Sequence, residues 1–381
     1  LHRSLEVSPD GRWLAVGGSA DAALLSVDGK TSLVLPHLNH LHRTMFAPHG
    51  QTLATLGFEG IVRLFPILDL STAKLGTPAI VPQQNTFADG RFSREGHVLA
   101  IVANNQIVIW ERKPASPIVG QVAWEQSIWR PRPSFDGQLV TPGVYHEYYT
   151  GFGPRGTELK VARMRDGSAA GPPIALTGLL LDSCICSDNA SVAAVTVDQP
   201  HGWLTLYDIA TGTAKWPALA LPALPLSVAA QPGRPQVAVL CENGDLLVVD
   251  TTRGVIELRQ AHPGVSGAAT IARVAYSPDG ATLVAVLPNQ HVAIRDAQTG
   301  EPRCATFTPQ VHSGWTRSIA FSPDSRWLAT AVTGKNMAQV WSLATGEKVG
   351  VGMSHPGDEF GLWAIKFSPD GKLLATGHKD G

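Results

Sequence analysis

The sequence predicts an all-β fold, a β-propeller of four-stranded antiparallel blades. Three observations predict it. A phrase built on Ser-Pro-Asp-Gly recurs along the chain, short alternating apolar runs fill the intervals, and the composition is rich in turn formers and poor in charge. Of 381 residues, 38 are Gly and 28 Pro, with 44% hydrophobic and 16% charged. A typical globular domain is about a quarter charged.

The repeat is anchored on the Ser of the phrase or its stand-in, near positions 8, 47, 93, 134, 186, 230, 277, 322 and 368, at intervals of 39 to 52 residues. Four copies are sharp: "VSPDGRWLAVGG" (7–18), "YSPDGATLVAV" (276–286), "FSPDSRWLATAV" (321–332) and "FSPDGKLLATG" (367–377). "FAPHGQTLAT" (46–55) is close. "FSREGHVLAI" (92–101), "PSFDGQLV" (133–140), "CSDNASVAAV" (186–195) and "AQPGRPQVAV" (230–239) are degenerate and gain weight from falling at the expected interval. A fixed period of this length is the mark of a repeat architecture, in which each unit adds core against its neighbours.

Within a unit the elements follow in order. A first alternating run, such as "RSIAF" (317–321), meets the Ser-Pro-Asp-Gly turn. There Pro suits the second position of a type I turn and Gly the fourth. A second, small and apolar run follows, as in "WLATAV" (327–332), and then a third, "IVIW" (107–110) or "AQVW" (338–341). A Thr-Gly turn (Thr211-Gly212, Thr299-Gly300, Thr345-Gly346) leads to a short fourth run. Four strands in about 45 residues leave no room for helices. A lone four-stranded sheet is marginal, but sheets packed face to face around an axis bury both faces and leave only short edges. Residues 1–381 read as one such array with an incomplete last repeat. Leu1 and Gly381 both fall inside a repeat, so the expectation is a fragment cut at both ends.

The stretch "LATGEKVGVGMSHPGDEFGLWAIKFSPDG" (343–371) carries a family resemblance. The chain resembles WD40-repeat proteins of the Gly- and Pro-rich bacterial kind, strongly over 1–65 and 262–381 and weakly between. The resemblance implies a structural hydrogen-bond network of His before the first strand, Ser or Thr, Asp in the second turn and Trp on the third strand. The last repeat matches with His355, Thr376 and Asp380, and the one before with His312, Thr330 and Trp341. Departures are many. Trp-Asp never occurs, the nearest dipeptides being Trp110-Glu111, Trp341-Ser342 and Tyr207-Asp208. Elsewhere the aromatic position holds Phe65, Arg295 or Val249, and those blades are expected to rely on packing instead of the network. Rings of seven and of eight blades both occur in such proteins. Spacing leaves open whether eight close here, or seven close and the rest begins a second ring.

No chemistry is legible. Net charge is −1, so no electrostatic case exists for nucleic acid or an acidic membrane surface. Cys184, Cys186, Cys241 and Cys304 read as small buried apolar residues, not as a disulfide framework or a metal cage. No run of 18 apolar residues is present, so no membrane insertion is expected, and the reading is cytoplasmic. "GFGPRG" (151–156) fits a dinucleotide loop by letter, but Pro154 removes an amide and "TELKVARMRDG" after it alternates like a strand. "HEYYT" (146–150) lacks the second His of a zinc protease, and "GVSGAA" (264–269) and "DEFG" (358–361) miss hydrolase and kinase signatures. No catalytic residue, metal or cofactor is expected.

Function is then a matter of surface. In WD40 proteins, the resemblance implies, partners are gripped near the start of each first strand. Five positions before the anchors stand Arg3, His42, Ala88, Trp129, Leu181, Pro225, Ala272, Arg317 and Trp363. Trp and Arg are the types most enriched at interface hot spots. Arg3, His42, Trp129, Arg317 and Trp363 are thus candidates for an aromatic and basic arc that binds a protein partner. The alternative is that both tryptophans pack between blades and the arginines are solvated. The Tyr-rich segment at 141–156 is either a recognition loop or drift in a degenerate repeat. The function expected is a non-catalytic protein–protein interaction scaffold. Two alternatives stand beside it: a regulatory module of a bacterial Ser/Thr protein kinase, to which such repeats are often fused, and a propeller enzyme or small-molecule binder using the central channel.

Overall fold

A computed structural model describes residues 4–18, 21–36, 41–57, 61–72, 74–82, 87–103, 106–111, 118–123, 130–143, 158–164, 168–265, 272–307, 309, 316–332, 337–354 and 362–378. Among these the regular structure is β-strand throughout, with no helix. The strands group into consecutive blades spanning 4–36, 41–82, 87–123, 130–175, 179–221, 225–260, 273–296, 316–354 and 362–378, numbered 1 to 9. Most are four-stranded antiparallel meanders in simple sequence order. Among the described residues blade 7 shows three strands and blade 9 two, and blade 4 divides into a three-stranded and a two-stranded sheet. The all-β, four-stranded blade plan read from the sequence is the plan observed.

One hydrogen bond fixes the repeat frame better than any residue. In every blade the amide of the turn's first residue donates to the carbonyl five residues on: Ser8 to Trp13, Ala47 to Thr52, Ser93 to Val98, Ser134 to Leu139, Cys186 to Ser191, Gln231 to Gln236, Ser277 to Thr282, Ser322 to Trp327 and Ser368 to Leu373. This corrects one anchor. The sixth is Gln231, not Ala230, because Gln231 makes the closing bond; the position five before it is then Leu226, not Pro225.

Where the sequence is Ser-Pro-Asp, side chains lock the same turn. The Ser8 hydroxyl donates to Asp10 Oδ1 (2.6 Å) and accepts the Trp13 amide (2.9 Å), while Asp10 Oδ1 also accepts the Arg12 amide. Ser277, Ser322 and Ser368 repeat this bonding. The turn's Gly sits in the left-handed region, where a side chain is strained. At Gly280, with φ of 72°, a Cβ would also lie 2.8 Å from the Pro232 carbonyl oxygen of the blade before.

The chain forms two compact units. Unit 1 holds 1–104, 110–117 and 309–381; unit 2 holds 105–109 and 118–308, so the division falls inside blade 3. In each, second strands such as Thr52–Gly57 and Thr282–Val286 are buried along their whole length, as expected for a sheet covered on both faces. The apolar cores lie between consecutive blades. In unit 1 Leu24, Leu41, Leu53 and Phe65 join blades 1 and 2, and Leu5, Val7 and Ala375 join blade 1 to blade 9. In unit 2 Val195, Leu206, Val237 and Leu247 join blades 5 and 6.

Candidate functional site: the row of first strands

First strands pack on first strands. In unit 1 the contiguous row runs through Thr316–Phe321, Leu362–Phe367, Ser4–Val7, Leu41–Phe46 and Phe87–Phe92, so the last blade lies between blades 8 and 1. In unit 2 Leu179–Ile185, Pro225–Ala230 and Arg273–Tyr276 form the same kind of row.

Each described first strand that reaches the position five before the turn residue is bulged there. The pairing skips one residue between Leu41 and Arg43, Phe87 and Asp89, Leu180 and Asp182, Pro225 and Ser227, Thr316 and Ser318, and Leu362 and Ala364. The extra residues are His42, Ala88, Leu181, Leu226, Arg317 and Trp363. A bulge leaves its residue out of the ladder, bends the strand and re-aims the side chain. Leu181 and Leu226, both in unit 2, are buried. Of the proposed arc, His42, Arg317 and Trp363 therefore occupy bulges on strands of one unit, and His42 is half-buried. Arg3 and Trp129 lie outside the described residues. So do the "GFGPRG" segment and nearly all of the Tyr-rich stretch, apart from Thr141, Pro142 and Gly143 at the end of a second strand.

The first strands carry carboxylates, and each of those described below is matched to a cation. In unit 2 Asp182 Oδ2 accepts from Arg132 Nη2 (2.8 Å) and the Val228 amide (3.0 Å), and Oδ1 accepts the Ser183 amide. Arg132 Nη1 donates to the Val228 carbonyl (3.0 Å), so one ion pair ties three first strands. In unit 1 Asp89 Oδ1 accepts the Gly90 amide (2.8 Å) and lies 3.2 Å from both Arg43 Nε and Arg91 Nη1. Lys366 Nζ lies 3.8 Å from Glu6 Oε2. Glu6 draws the Lys366 amine up, but desolvation and the guanidiniums of Arg91 and Arg43 outweigh it and hold the amine below its ordinary value. These acids are counter-ions.

The structural network is partly visible. Trp341 Nε1 donates to Thr330 Oγ1 (2.9 Å), both side chains being buried. Thr376 is half-buried on Leu374–His378, and His312, His355 and Asp380 lie outside the described residues. Phe65 and Val249 sit in apolar clusters, as expected of blades that rely on packing. Arg295 is a correction. It takes the aromatic's place in blade 7 and rebuilds a network: its Nη2 donates to His262 Nε2 (3.0 Å), and His262 Nδ1 donates to the Gly244 carbonyl (2.8 Å). Guanidinium replaces indole because both present an N–H at the end of a flat, partly buried group. Burial lowers the His262 pKa and the Arg295 charge lowers it further, against the Gly244 bond and Asp245, which raise it.

Burial pushes the thiols of Cys184 and Cys241 up to about 12, and Cys186 well above its ordinary value. Among the described residues no three His, Cys, Asp or Glu side chains converge to hold a metal, and no helix is long and apolar enough to cross a membrane. A groove of about 660 Å³ beside Arg12, Trp13, Asp28 and Thr72 lies at the turn end of blade 1, away from the bulges.

Comparison with known proteins agrees with this architecture. The family described as "WD domain, G-beta repeat" matches residues 303–342 and 347–381, which are WD40 repeats. Among solved structures, the chain is similar to the crystal structure of the C-terminal WD40 domain of Sif2. The likeness has a TM-score of 0.66 at 13% identity and covers 88% of this chain and 92% of that one. No curated protein matches the sequence.

Proposed function

Starting from the fold of a WD40 β-propeller, which this chain has, we propose that it is a non-catalytic scaffold that binds a protein partner through the bulged ends of its first strands. WD40 propeller domains generally mediate protein–protein interaction. The observation that carries the proposal for this chain is the bulge recurring at one position in six first strands. A bulge at the same place in successive strands takes one residue per blade out of the ladder; in unit 2 that residue is a buried Leu, so the proposed surface is confined to unit 1. In unit 1 that position holds His42, Arg317 and Trp363, and Arg3 and Trp129 extend the candidate set. Trp and Arg anchors supply most of the energy at protein interfaces, with about 2 kcal/mol or more lost on truncation of a hot spot. The proposal applies equally to a regulatory module beside a Ser/Thr protein kinase domain, because recognition resides in the blade surface.

The test is retention by the immobilised chain, scored against His42→Ala and Trp363→Ala. Proteins held by the wild type should be lost from both variants while the unfolding midpoint stays put. Retention unaffected by either substitution would remove the bulge positions as the binding surface.

A further inference from the structure

We propose that the outer side of blade 9 is a socket for a β-hairpin supplied by a partner protein, which pairs with Leu374–His378. This is a different surface from the bulged strand ends and does not depend on them.

The floor of the socket is a strand edge. In blades 1 to 8 every second strand pairs on both sides. Among the described residues, Leu374–His378 pairs only with Leu362–Phe367, in unbroken register from Phe367↔Leu374 to Ala364↔Gly377. Its other side presents a row of backbone N–H and C=O groups with no described strand to receive them.

Both walls are apolar. On blade 1 the cross-strand rows Leu14–Leu25 and Val16–Ala23–Val34 share one face. That face is turned to blade 9, since Leu14 and Val16 pack with Ala375. All five side chains are half-buried or exposed, and Val34 is 57% exposed. The reverse face of the same strands, with Ala15, Ala22, Leu24 and Leu35, is buried against blade 2. Blade 8 mirrors this. Ala329, Val340 and Val349 form one row and Ala331, Ala338 and Met353 the next, on the face that packs with Leu362 and Ile365. Burial fades outward along both rows. Ala329 and Ala338 are fully buried, Val340 is half-buried, and Val349 and Met353 are 38% and 37% exposed.

Where two complete blades face each other, the same positions are covered. Between blades 5 and 6 the third-strand residues Leu204, Leu206, Leu247 and Val249 are buried. The exposure on blades 1 and 8 therefore follows from the two strands of blade 9, not from a habit of the repeat. Only extended backbone satisfies a strand edge, and two apolar walls call for apolar side chains on both of its faces. Third strands of sibling blades, such as "QIVIWE" (106–111) and "LLVVD" (246–250), have that character. A second copy of this chain is a poor source, because every described third and fourth strand is already paired within its own blade.

The experiment uses the full chain and, as probe, a synthetic hairpin of residues 337–354, the third and fourth strands of blade 8. The anisotropy of the labelled hairpin should rise saturably, and hydrogen exchange should show protection gained in Leu374–His378. Val34→Asp and Val349→Asp, both at exposed positions, should each weaken the hairpin about tenfold or more by setting a charge in a wall. Val255→Asp, on the outer strand of blade 6, should leave it unchanged. No saturable rise, unchanged exchange in Leu374–His378 with the hairpin bound, or full binding by both wall variants overturns the site. Sedimentation of the chain alone decides the occupant. A monomer supports a partner, whereas a concentration-dependent dimer dispersed by the hairpin assigns the socket to a second copy and overturns the partner.

Discussion

Protonating His262 would place a second cation 3.0 Å from the Arg295 guanidinium and remove the lone pair that accepts its hydrogen bond. Burial and Arg295 together lower the folded-state pKa of His262. The unfolded chain therefore takes up this proton at a higher pH than the folded chain does. The contribution to stability is present above about pH 6.5, the ordinary histidine value, and is lost as pH falls from there through the folded value. Wild type should thus lose unfolding temperature between pH 7.5 and 5 more steeply than His262→Gln. Parallel melting profiles for the two would show that the ring is not held neutral by this network. At this scale the sequence was legible at Thr330 and Trp341, where residue types match a known network. It was misleading at Arg295, because a charged side chain in an aromatic's place gives no sign that a half-buried histidine will receive it.

A turn depends on a backbone frame before it depends on Ser, Pro or Asp. The amide of Ala47 closes its turn onto the Thr52 carbonyl as Ser322 closes onto Trp327, although Ala47 has no hydroxyl. Residue identity adds a second layer. Ser322→Ala would leave the Trp327 amide without its hydroxyl acceptor (2.9 Å) at a fully buried site, costing about 1–2 kcal/mol. The converse is the sharper test. Ala47→Ser with His49→Asp would supply a hydroxyl for the Thr52 amide and a carboxylate for the Gln51 amide, and should stabilise the chain by about 1 kcal/mol in urea unfolding. Failure to stabilise would mean that the sharp phrase contributes nothing beyond its backbone. Blade 5 shows the same bonding redistributed. Cys186 cannot stand in for Ser, but Asp188 accepts the amides of Ala190 and Ser191, and the Ser191 hydroxyl donates to it (2.6 Å). This is why the degenerate copies were countable by interval and invisible by letter. The bulges left no trace in the sequence at all. His42, Ala88, Leu181, Leu226, Arg317 and Trp363 share no chemistry, because what defines them is a skipped partner on the neighbouring strand.

Counting repeats could not say where the ninth would go. An incomplete copy after eight others reads equally well as the start of a second ring or as surplus to the first. Packing within unit 1 decides it: Leu362–Phe367 lies against Thr316–Phe321 on one side and Ser4–Val7 on the other, and Ala375 is buried with Leu5 and Val7. In a repeat protein stability is close to a sum of nearest-neighbour interfaces, so a blade with two neighbours counts twice. Deleting residues 362–381 would expose Leu5 and Val7 on one face and Ala329, Ala331 and Ala338 on the other. Each large side chain uncovered costs about 1.5–3 kcal/mol. The deleted chain should lose hydrogen-exchange protection first in Ser4–Val7 and Trp327–Val332, while Gln236–Cys241 in unit 2, joined to its own neighbours through Val237 and Val239, keeps its protection. Protection unchanged in both strands would mean that blade 9 is an appendage, and that Lys366 is held beside Glu6 by charge alone. Loss confined to unit 1 would mean that the blade completing the core also carries the bulge at Trp363, so that folding and the proposed recognition in this unit rest on the same two strands.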